Sequence, residues 1–151
     1  MTTTTTRQLC TFMLDDLYLG LEVKRVQEVL RWQEMTFVPL AADVIRGLIN
    51  LRGQIVTAID LRRRFGLPDL PPDRRSMNVV VRADDGPVSL LVDDIGDVMM
   101  VEDRWFERPP ETVRGLTREL IRGTYKLKHR LLLELDIARV IDLSIRQEAR
   151  P

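Results

Sequence analysis

An internal repeat constrains the fold of this chain more than any other feature, because one folding unit must be built twice. With a shift of 69 residues, the Asp-Asp pair at residues 15–16 aligns with the pair at residues 84–85. With a shift of 76 residues, the Ile-Arg-Gly string at residues 45–47 aligns with the same string at residues 121–123. The matches are collinear, which chance pairing of apolar residues would not readily produce. The change of shift places seven extra residues in the second copy, near Pro109-Pro110.

Short apolar runs separated by turn residues recur along both copies and predict a mainly β fold. Each copy alone is marginal in size, so we expect two β-barrel-like units of about 60–75 residues that share an apolar seam. The proline-rich connector at residues 68–72 predicts subdomain 1 over about residues 8–70 and subdomain 2 over about residues 76–146, with terminal segments free to cross over. Residues 1–7 and 147–151 are expected to be tails, the first of them disordered.

Matching start signals predict two short helices. Asp60 precedes a Leu-Arg-Arg-Arg-Phe run that stops before Gly66, and Asp136 precedes a similar segment. Asp is favoured as an N-cap because its carboxylate accepts a hydrogen bond from a free backbone N–H, and Gly is favoured just past a helix end. The pattern of residues 26–30 fits either a helical turn or a bent continuation of the preceding strand.

Composition excludes several classes of function. The chain has 23 Lys+Arg and 23 Asp+Glu residues, so it lacks the basic excess of proteins that bind nucleic acid or anionic membranes by charge. Aromatic residues make up only 5%, too few for a stacking platform on a small barrel. The single cysteine, Cys10, cannot form an internal disulfide and favours a cytoplasmic protein. No apolar run approaches the ~18–20 residues that span a bilayer.

Residues for catalysis or for metal and cofactor binding are missing from the sequence. His129 is the only histidine, Cys10 has no partner nearby in sequence, and the glycines form no phosphate-binding motif. The acidic cluster at residues 93–97 lacks the spacing of a calcium loop and is expected at the surface. The basic run at residues 62–64 is expected to be a solvated face or a protein contact. We therefore predict no enzymatic activity, no metal and no cofactor.

One string in the first copy is specific enough to indicate a family. Residues 47–53 read GLINLRG and are followed by DLR at residues 60–62, and a Val-Pro pair stands at residues 38–39. In the second copy the match continues through residues 90–93, Gly123 and residues 131–136. Together these strings, spread over about residues 9–143, resemble the CheW family of adaptors in bacterial chemotaxis-type signalling. Thr57 departs from the family, in which many members carry Pro.

The resemblance implies a fold and a set of partners. Members of the family consist of two SH3-like, five-stranded β-barrels with short helices, and they have no enzymatic activity. They couple the cytoplasmic tip of a methyl-accepting chemoreceptor to the regulatory domain of a CheA-type histidine kinase, in arrays on the inner face of the membrane. The regulatory domain of the kinase has the same fold, and unlike barrels of the two proteins associate in rings, so the resemblance also allows self-association in rings.

Site residues follow from the same resemblance. The kinase-binding residues are predicted to be Glu28, Val29, Leu30 and Arg52, which combine a polar rim with apolar anchors. The receptor-binding groove is predicted to contain Val26, Leu48, Ile49 and Val98, although each of these apolar side chains fits a barrel core equally well. Gly47, Gly53 and Gly123 are predicted to serve tight turns or close backbone approaches.

A second class of function remains to be separated from the adaptor. A phosphatase or another regulator of the pathway's response regulator would need a carboxylate and an amide on an exposed helix, and Gln27 with Glu28 is the one candidate pair in the sequence. Swimming chemotaxis, surface motility and second-messenger pathways all use such adaptors. The sequence does not distinguish among these pathways.

Overall fold

The structure, a computed structural model, describes residues 5–143, and β-strands dominate it. The strands are β1 (Thr6–Leu14), β2 (Leu17–Glu22), β3 (Val26–Leu30), β4 (Ile45–Leu51), β5 (Gln54–Asp60), β6 (Met77–Ala83), β7 (Gly86–Val92), β8 (Asp94–Glu102), β9 (Phe106–Glu107), β10 (Ile121–Lys126) and β11 (Leu131–Leu135). The α-helices are α1 (Leu61–Arg64), α2 (Gly115–Leu120) and α3 (Ile137–Ile141), and 3-10 turns cover Val23–Arg25 and Asp103–Trp105. Residues 1–4 of the predicted N-terminal tail, the predicted tail at residues 147–151 and the end of subdomain 2 beyond residue 143 lie outside the described residues.

Two sheets contain all the strands of the described chain. The first has the order β8-β1-β2-β11-β10-β9, and the second has the order β3-β6-β7-β5-β4. Under the repeat, β6, β7, β8, β10 and β11 are the second copies of β1, β2, β3, β4 and β5. The two sheets therefore have the same order of equivalent strands, and β9 is an addition that belongs to the extra segment of the second copy.

The repeat is visible in the register of the strands as well as in their order. The ladder between β4 and β5 shifts between Ile45 and Gly47, and the ladder between β10 and β11 shifts between Ile121 and Gly123. Both shifts fall at the same repeat position. The two helix starts also match, because Asp60 accepts a hydrogen bond from the Arg63 N–H and Asp136 accepts one from the Arg139 N–H. The duplication inferred from the sequence is thus a duplication of structure.

The two copies exchange their first hairpins. The hairpin of β1 and β2 joins the last strands of the second copy through a parallel pairing of β2 with β11. Reciprocally, the hairpin of β6 and β7 joins the first copy through a parallel pairing of β7 with β5. The sheets therefore divide the chain near residues 23–25 and 93, and not at the proline-rich connector near residues 68–72. Terminal segments cross over, and each sheet contains strands from both copies.

Most of the buried apolar residues belong to three clusters. The largest lies between the sheets and includes Phe12 and Leu133 from the first sheet with Val79 and Val81 from the second. A smaller cluster lies within each sheet, one around Leu132 and one around Val80 with Ile49, Leu51 and Val56. Successive strand residues point to opposite faces, so Val79 and Val81 face the shared core while Val80 faces the smaller one. This double burial explains the continuous apolar run in β6.

Several sequence predictions are corrected by these elements. β1 begins at Thr6, so Arg7 belongs to a strand and not to a disordered tail. Residues 26–30 form strand β3 after a short 3-10 turn, which decides between the two alternatives for that segment. The helices after Asp60 and Asp136 form as predicted, at Leu61–Arg64 and Ile137–Ile141.

Candidate functional site

The loop that joins β4 to β5 presents Arg52 at the surface. Arg52 (φ 51°) and Gly53 (φ 88°) both adopt left-handed backbone conformations, as the central residues of a two-residue hairpin turn often do. Gly53 tolerates this conformation without a steric cost, and its N–H donates to Asn50 Oδ1 at 2.9 Å. The turn thereby holds the Arg52 side chain, which is 70% exposed, clear of the sheet.

Glu28 on β3 binds that arginine. Arg52 Nη1 donates to Glu28 Oε1 at 3.2 Å, and Arg52 Nη2 donates to Glu28 Oε2 in a second, closer contact, so the pair is bidentate. The hydrogen bond from Arg52 holds the pKa of the Glu28 carboxyl below its usual range, and the carboxylate raises the pKa of Arg52. β3 and β4 are the two outermost strands of the second sheet, so this ion pair connects its opposite edges.

Val29 and Leu30 complete this region in different ways. Val29, the next residue along β3, is 40% exposed. Leu30 is half-buried and packs against the small cluster around Val80. The structure therefore brings Arg52 of the β4–β5 turn to the three predicted kinase-binding residues of β3, where the two outermost strands of the second sheet approach each other, with Glu28, Val29 and Arg52 accessible. We refer to these three residues as the Glu28–Arg52 face.

The four residues predicted for the receptor groove divide between core and surface. Ile49 is 1% exposed and belongs to the small core of the second sheet, so its assignment to a contact surface was wrong. Val26 packs partly against the central core, and Leu48 is half-buried on β4. Val98 lies on the outermost strand of the first sheet and is 56% exposed. Val98 is the repeat equivalent of Val29, so each sheet exposes an apolar residue on the corresponding edge strand.

Gly47 and Gly123 permit close backbone approaches within strands and do not form turns. A Cβ atom on Gly47 would lie 2.7 Å from Thr36 O, and one on Gly123 would lie 2.7 Å from Glu107 O and closer still to the Phe106 ring. Thr36 bridges to Leu48, and Glu107 of β9 pairs with Thr124, which is the repeat equivalent of Leu48. Both glycines therefore admit an additional strand segment against the edge of a sheet.

A buried charge cluster in the first sheet was missed by the sequence analysis. Glu134 on β11 accepts hydrogen bonds from Arg7 (2.9 and 2.8 Å), Arg122 (2.9 Å) and the Tyr125 hydroxyl (3.2 Å). Arg7 also binds Glu22 in a close contact. The one available signal was the glutamate within the apolar run of residues 131–135. It was overlooked because Arg7 was assigned to the tail.

Electrostatic effects within this cluster are large. The hydrogen bond to the Glu134 carboxylate raises the pKa of Arg7. Burial acts to lower it, and the hydrogen bond to Glu22 acts to raise it further. Burial, together with the negative charge of Glu134, raises the pKa of Tyr125 to about 12. Burial acts to raise the pKa of Glu22, but the hydrogen bonds from Arg7 and Lys24 hold it below its usual value. The cluster therefore stabilises the charged forms of Arg7 and Glu22.

Two charged stretches are less exposed than the sequence indicated. Asp93 is buried, and Arg62 binds both of its carboxylate oxygens at 2.8 and 2.7 Å, so it is not a surface residue. Burial acts to raise the pKa of Asp93, yet Arg62 and the Asp15 N–H together lower it. Arg64 is also buried and donates to backbone carbonyl oxygens of α3, including that of Val140 at 2.7 Å. The basic run of α1 therefore makes contacts within the chain.

Within residues 5–143, no group of three or more His, Cys, Asp or Glu side chains is arranged to hold a metal ion. His129 is exposed in the bend before β11. In the same part of the chain, no helix is long and apolar enough to cross a membrane. Gln27 and Glu28 lie on a strand, where Arg52 occupies the carboxylate, and not on an exposed helix. The phosphatase alternative is therefore not favoured.

Comparison with known families agrees with the fold. Residues 8–144 match a family described as the CheW-like domain. The chain belongs to the CheW family. Among relatives of this CheW-family chain, the chemotaxis protein CheW of Bacillus subtilis is 32% identical over 147 residues, which cover 97% of this chain and 94% of that protein. The CheW of Rhizobium meliloti is 30% identical over 132 residues, covering 86% and 85% of the two chains.

A solved structure has the same fold. The scaffolding protein TtCheW from Thermoanaerobacter tengcongensis superposes with a TM-score of 0.84, and the match covers 95% of this chain and 97% of that one. The two sequences are 24% identical, so this similarity supports the fold. The prediction of a mainly β, two-unit CheW-like fold is confirmed.

Proposed function

We propose that this chain is a non-enzymatic chemotaxis adaptor that couples a methyl-accepting chemoreceptor to a CheA-type histidine kinase. Its membership of the CheW family supports this function, and the scaffolding protein TtCheW shares its fold. The adaptor acts in the cytoplasm, at receptor arrays on the inner face of the membrane. There it binds the regulatory domain of the kinase and the cytoplasmic tip of the receptor.

The proposed contact with the kinase is the Glu28–Arg52 face. It combines an exposed apolar side chain, Val29, with a bidentate pair of charged groups, which is the arrangement of an anchor beside a polar rim. An exposed ion pair contributes little to folding because water solvates both of its members. Changes at this pair therefore separate binding from stability. Val98, on the corresponding strand of the first sheet, is the proposed receptor contact that remains accessible.

Arg52→Glu tests the kinase contact, and Arg104→Glu is its matched control. Arg104 is 71% exposed and pairs with Glu102, which is 21% exposed; the values for Arg52 and Glu28 are 70% and 21%. We expect Arg52→Glu to weaken binding of the kinase regulatory domain at least about tenfold in isothermal titration calorimetry, and the control to bind as the wild type does. Both variants should unfold at the wild-type temperature. If the Arg52→Glu variant binds the kinase regulatory domain with wild-type affinity, the Glu28–Arg52 face is not the kinase contact.

Val98→Asp tests the receptor contact against Ile55→Asp, which alters another exposed apolar strand residue (61% exposed, against 56% for Val98). A charge placed at a buried contact must be desolvated on binding, so Val98→Asp should reduce co-sedimentation of the adaptor with receptor-containing membranes. Ile55→Asp should leave it unchanged. Equal co-sedimentation of both variants would place the receptor contact elsewhere.

A further inference from the structure

A cavity of about 390 Å³ lies against the second sheet, and its residues take no part in the proposed adaptor contacts. Its lining combines apolar residues with arginines: Trp32, Leu70, Pro71, Leu91, Arg74 and Arg75. Small-molecule sites in proteins have this character, with a concave apolar wall and a few converging polar groups, at volumes of about 300–1,000 Å³.

The repeat shows how this cavity differs from its counterpart in the first sheet. There, Arg7 and Glu22 line the equivalent hollow and bind each other. A shift of 69 residues places Ser76 at the position of Arg7 and Leu91 at the position of Glu22. The first sheet therefore matches its charges internally. The second sheet has a small hydroxyl and an apolar side chain at the same place. Arg74 in the cavity wall binds Asp94 at 3.4 Å, so Arg75 is the arginine that sets the charge there.

Positive charge is in excess at the mouth of the cavity. The three acidic residues of the lining are each neutralised, because Asp60 binds Arg46 at 3.1 Å, Asp93 binds Arg62 at 2.7 Å and Asp69 binds Arg63 at 3.1 Å. Within the described residues, Arg75 has no carboxylate partner, and its guanidinium lies 5.9 Å from the centroid of the Trp32 ring. An unmatched guanidinium and an indole ring are thus adjacent at the cavity.

We propose that this cavity binds a planar anionic small molecule of the nucleotide class. The Trp32 ring offers a surface on which a base stacks, and base–aromatic stacking does not require a particular base. The planar fork of Arg75 offers paired N–H donors to phosphate oxygens. Ser76 leaves room for the ligand where the other sheet has Arg7. Such a site would give the adaptor a small-molecule input that is separate from its protein contacts.

Fluorescence titration of the full chain with guanosine 5′-monophosphate tests the proposal. The Trp105→Phe background leaves Trp32 as the only tryptophan of the chain, so its quenching reports stacking. We expect a saturable signal with a dissociation constant below about 1 mM, and binding at least about tenfold weaker for guanosine alone or for inorganic phosphate alone. Arg75→Gln should weaken binding of the nucleotide at least about fivefold, and Arg104→Gln should not change it.

Ser76→Phe adds a test of position, because the larger side chain would occupy the cavity and should abolish saturable quenching. Its unfolding temperature is measured in parallel, and Arg75→Gln, which alters an exposed side chain, keeps the test independent of folding. The proposal is overturned if the wild type gives no saturable quenching up to about 5 mM nucleotide. It is also overturned if Arg75→Gln binds as the wild type does, or if a folded Ser76→Phe variant retains binding.

Discussion

Glu134→Gln should lower the stability of this protein more than any change at its exposed ion pairs. The Glu134 side chain is 3% exposed, and its carboxylate accepts hydrogen bonds from Arg7, Arg122 and Tyr125. Glutamine keeps the shape but removes the charge and turns an amide N–H₂ group toward two guanidinium groups. Removing one partner of a buried ion pair costs about 3–5 kcal/mol, and Arg7 keeps Glu22 as a partner, so we expect about 3 kcal/mol.

Urea denaturation measures the loss in the free energy of unfolding directly, and thermal unfolding measures the same loss as a lower unfolding temperature. For a chain of 151 residues, a loss of about 3 kcal/mol corresponds to a fall of about 6–12 °C in the unfolding temperature. Glu28→Gln is the control, because it neutralises a carboxylate that is also bound by an arginine but lies at the surface. We expect the control to unfold close to the wild type, since water and salt screen an exposed pair.

A double variant distinguishes ion pairing from simple packing. If the cost of Glu134→Gln arises from stranded charge, then Arg7→Met combined with Glu134→Leu should be less destabilising than the sum of the two single changes. Additive effects would refute the reasoning. So would a loss of less than about 1 kcal/mol for Glu134→Gln, because the buried carboxylate would then contribute no more than a surface one.

Three further predictions concern backbone packing and pH. Gly123→Ala should destabilise the fold by about 1–3 kcal/mol in urea denaturation, because its Cβ would overlap the Phe106 ring; unchanged stability would show that β9 moves freely. The pKa values of Asp93 and Glu22 are depressed in the folded state, so their contribution to stability is complete above the ordinary values of 3.8 and 4.5 and is lost as the pH falls through the folded values. Asp93→Asn should therefore flatten the acid limb of a plot of stability against pH, and an unaltered limb would contradict this. Ultraviolet titration should show a tyrosine ionisation at about pH 12 that is absent from Tyr125→Phe. Ionisation of Tyr125 at the ordinary value of 10.0 would contradict the buried cluster.

Local signals in the sequence were sufficient for much of the fold. The helix starts at Asp60 and Asp136 were predictable because an N-cap hydrogen bond joins residues three positions apart. The short strands and their turns were predictable because hydrophobic alternation is a property of neighbouring residues. The repeat added long-range information, since one unit encoded twice must fold in the same way twice.

The sequence was less informative about which individual apolar side chains are buried. Val98 was predicted to be a contact residue and is exposed, whereas Ile49 was placed in the same set and lies in a core. Both are apolar residues of strands. Which of them faces solvent depends on which face of its sheet is covered, and this is set by the packing of the sheets and not by the local pattern.

The sequence by itself determined the repeat, the strand and helix signals and the family resemblance. Tertiary structure alone decided that the two copies exchange their first hairpins. It determined that Arg7 and Glu134, which are 127 positions apart in the sequence, form an ion pair inside the fold. It also decided that Asp93 is bound by Arg62 inside the fold. The physical reason is that strand pairing and ion pairing join residues that are distant along the chain. No local pattern encodes the choice among possible partners, because that choice depends on the burial each pairing achieves.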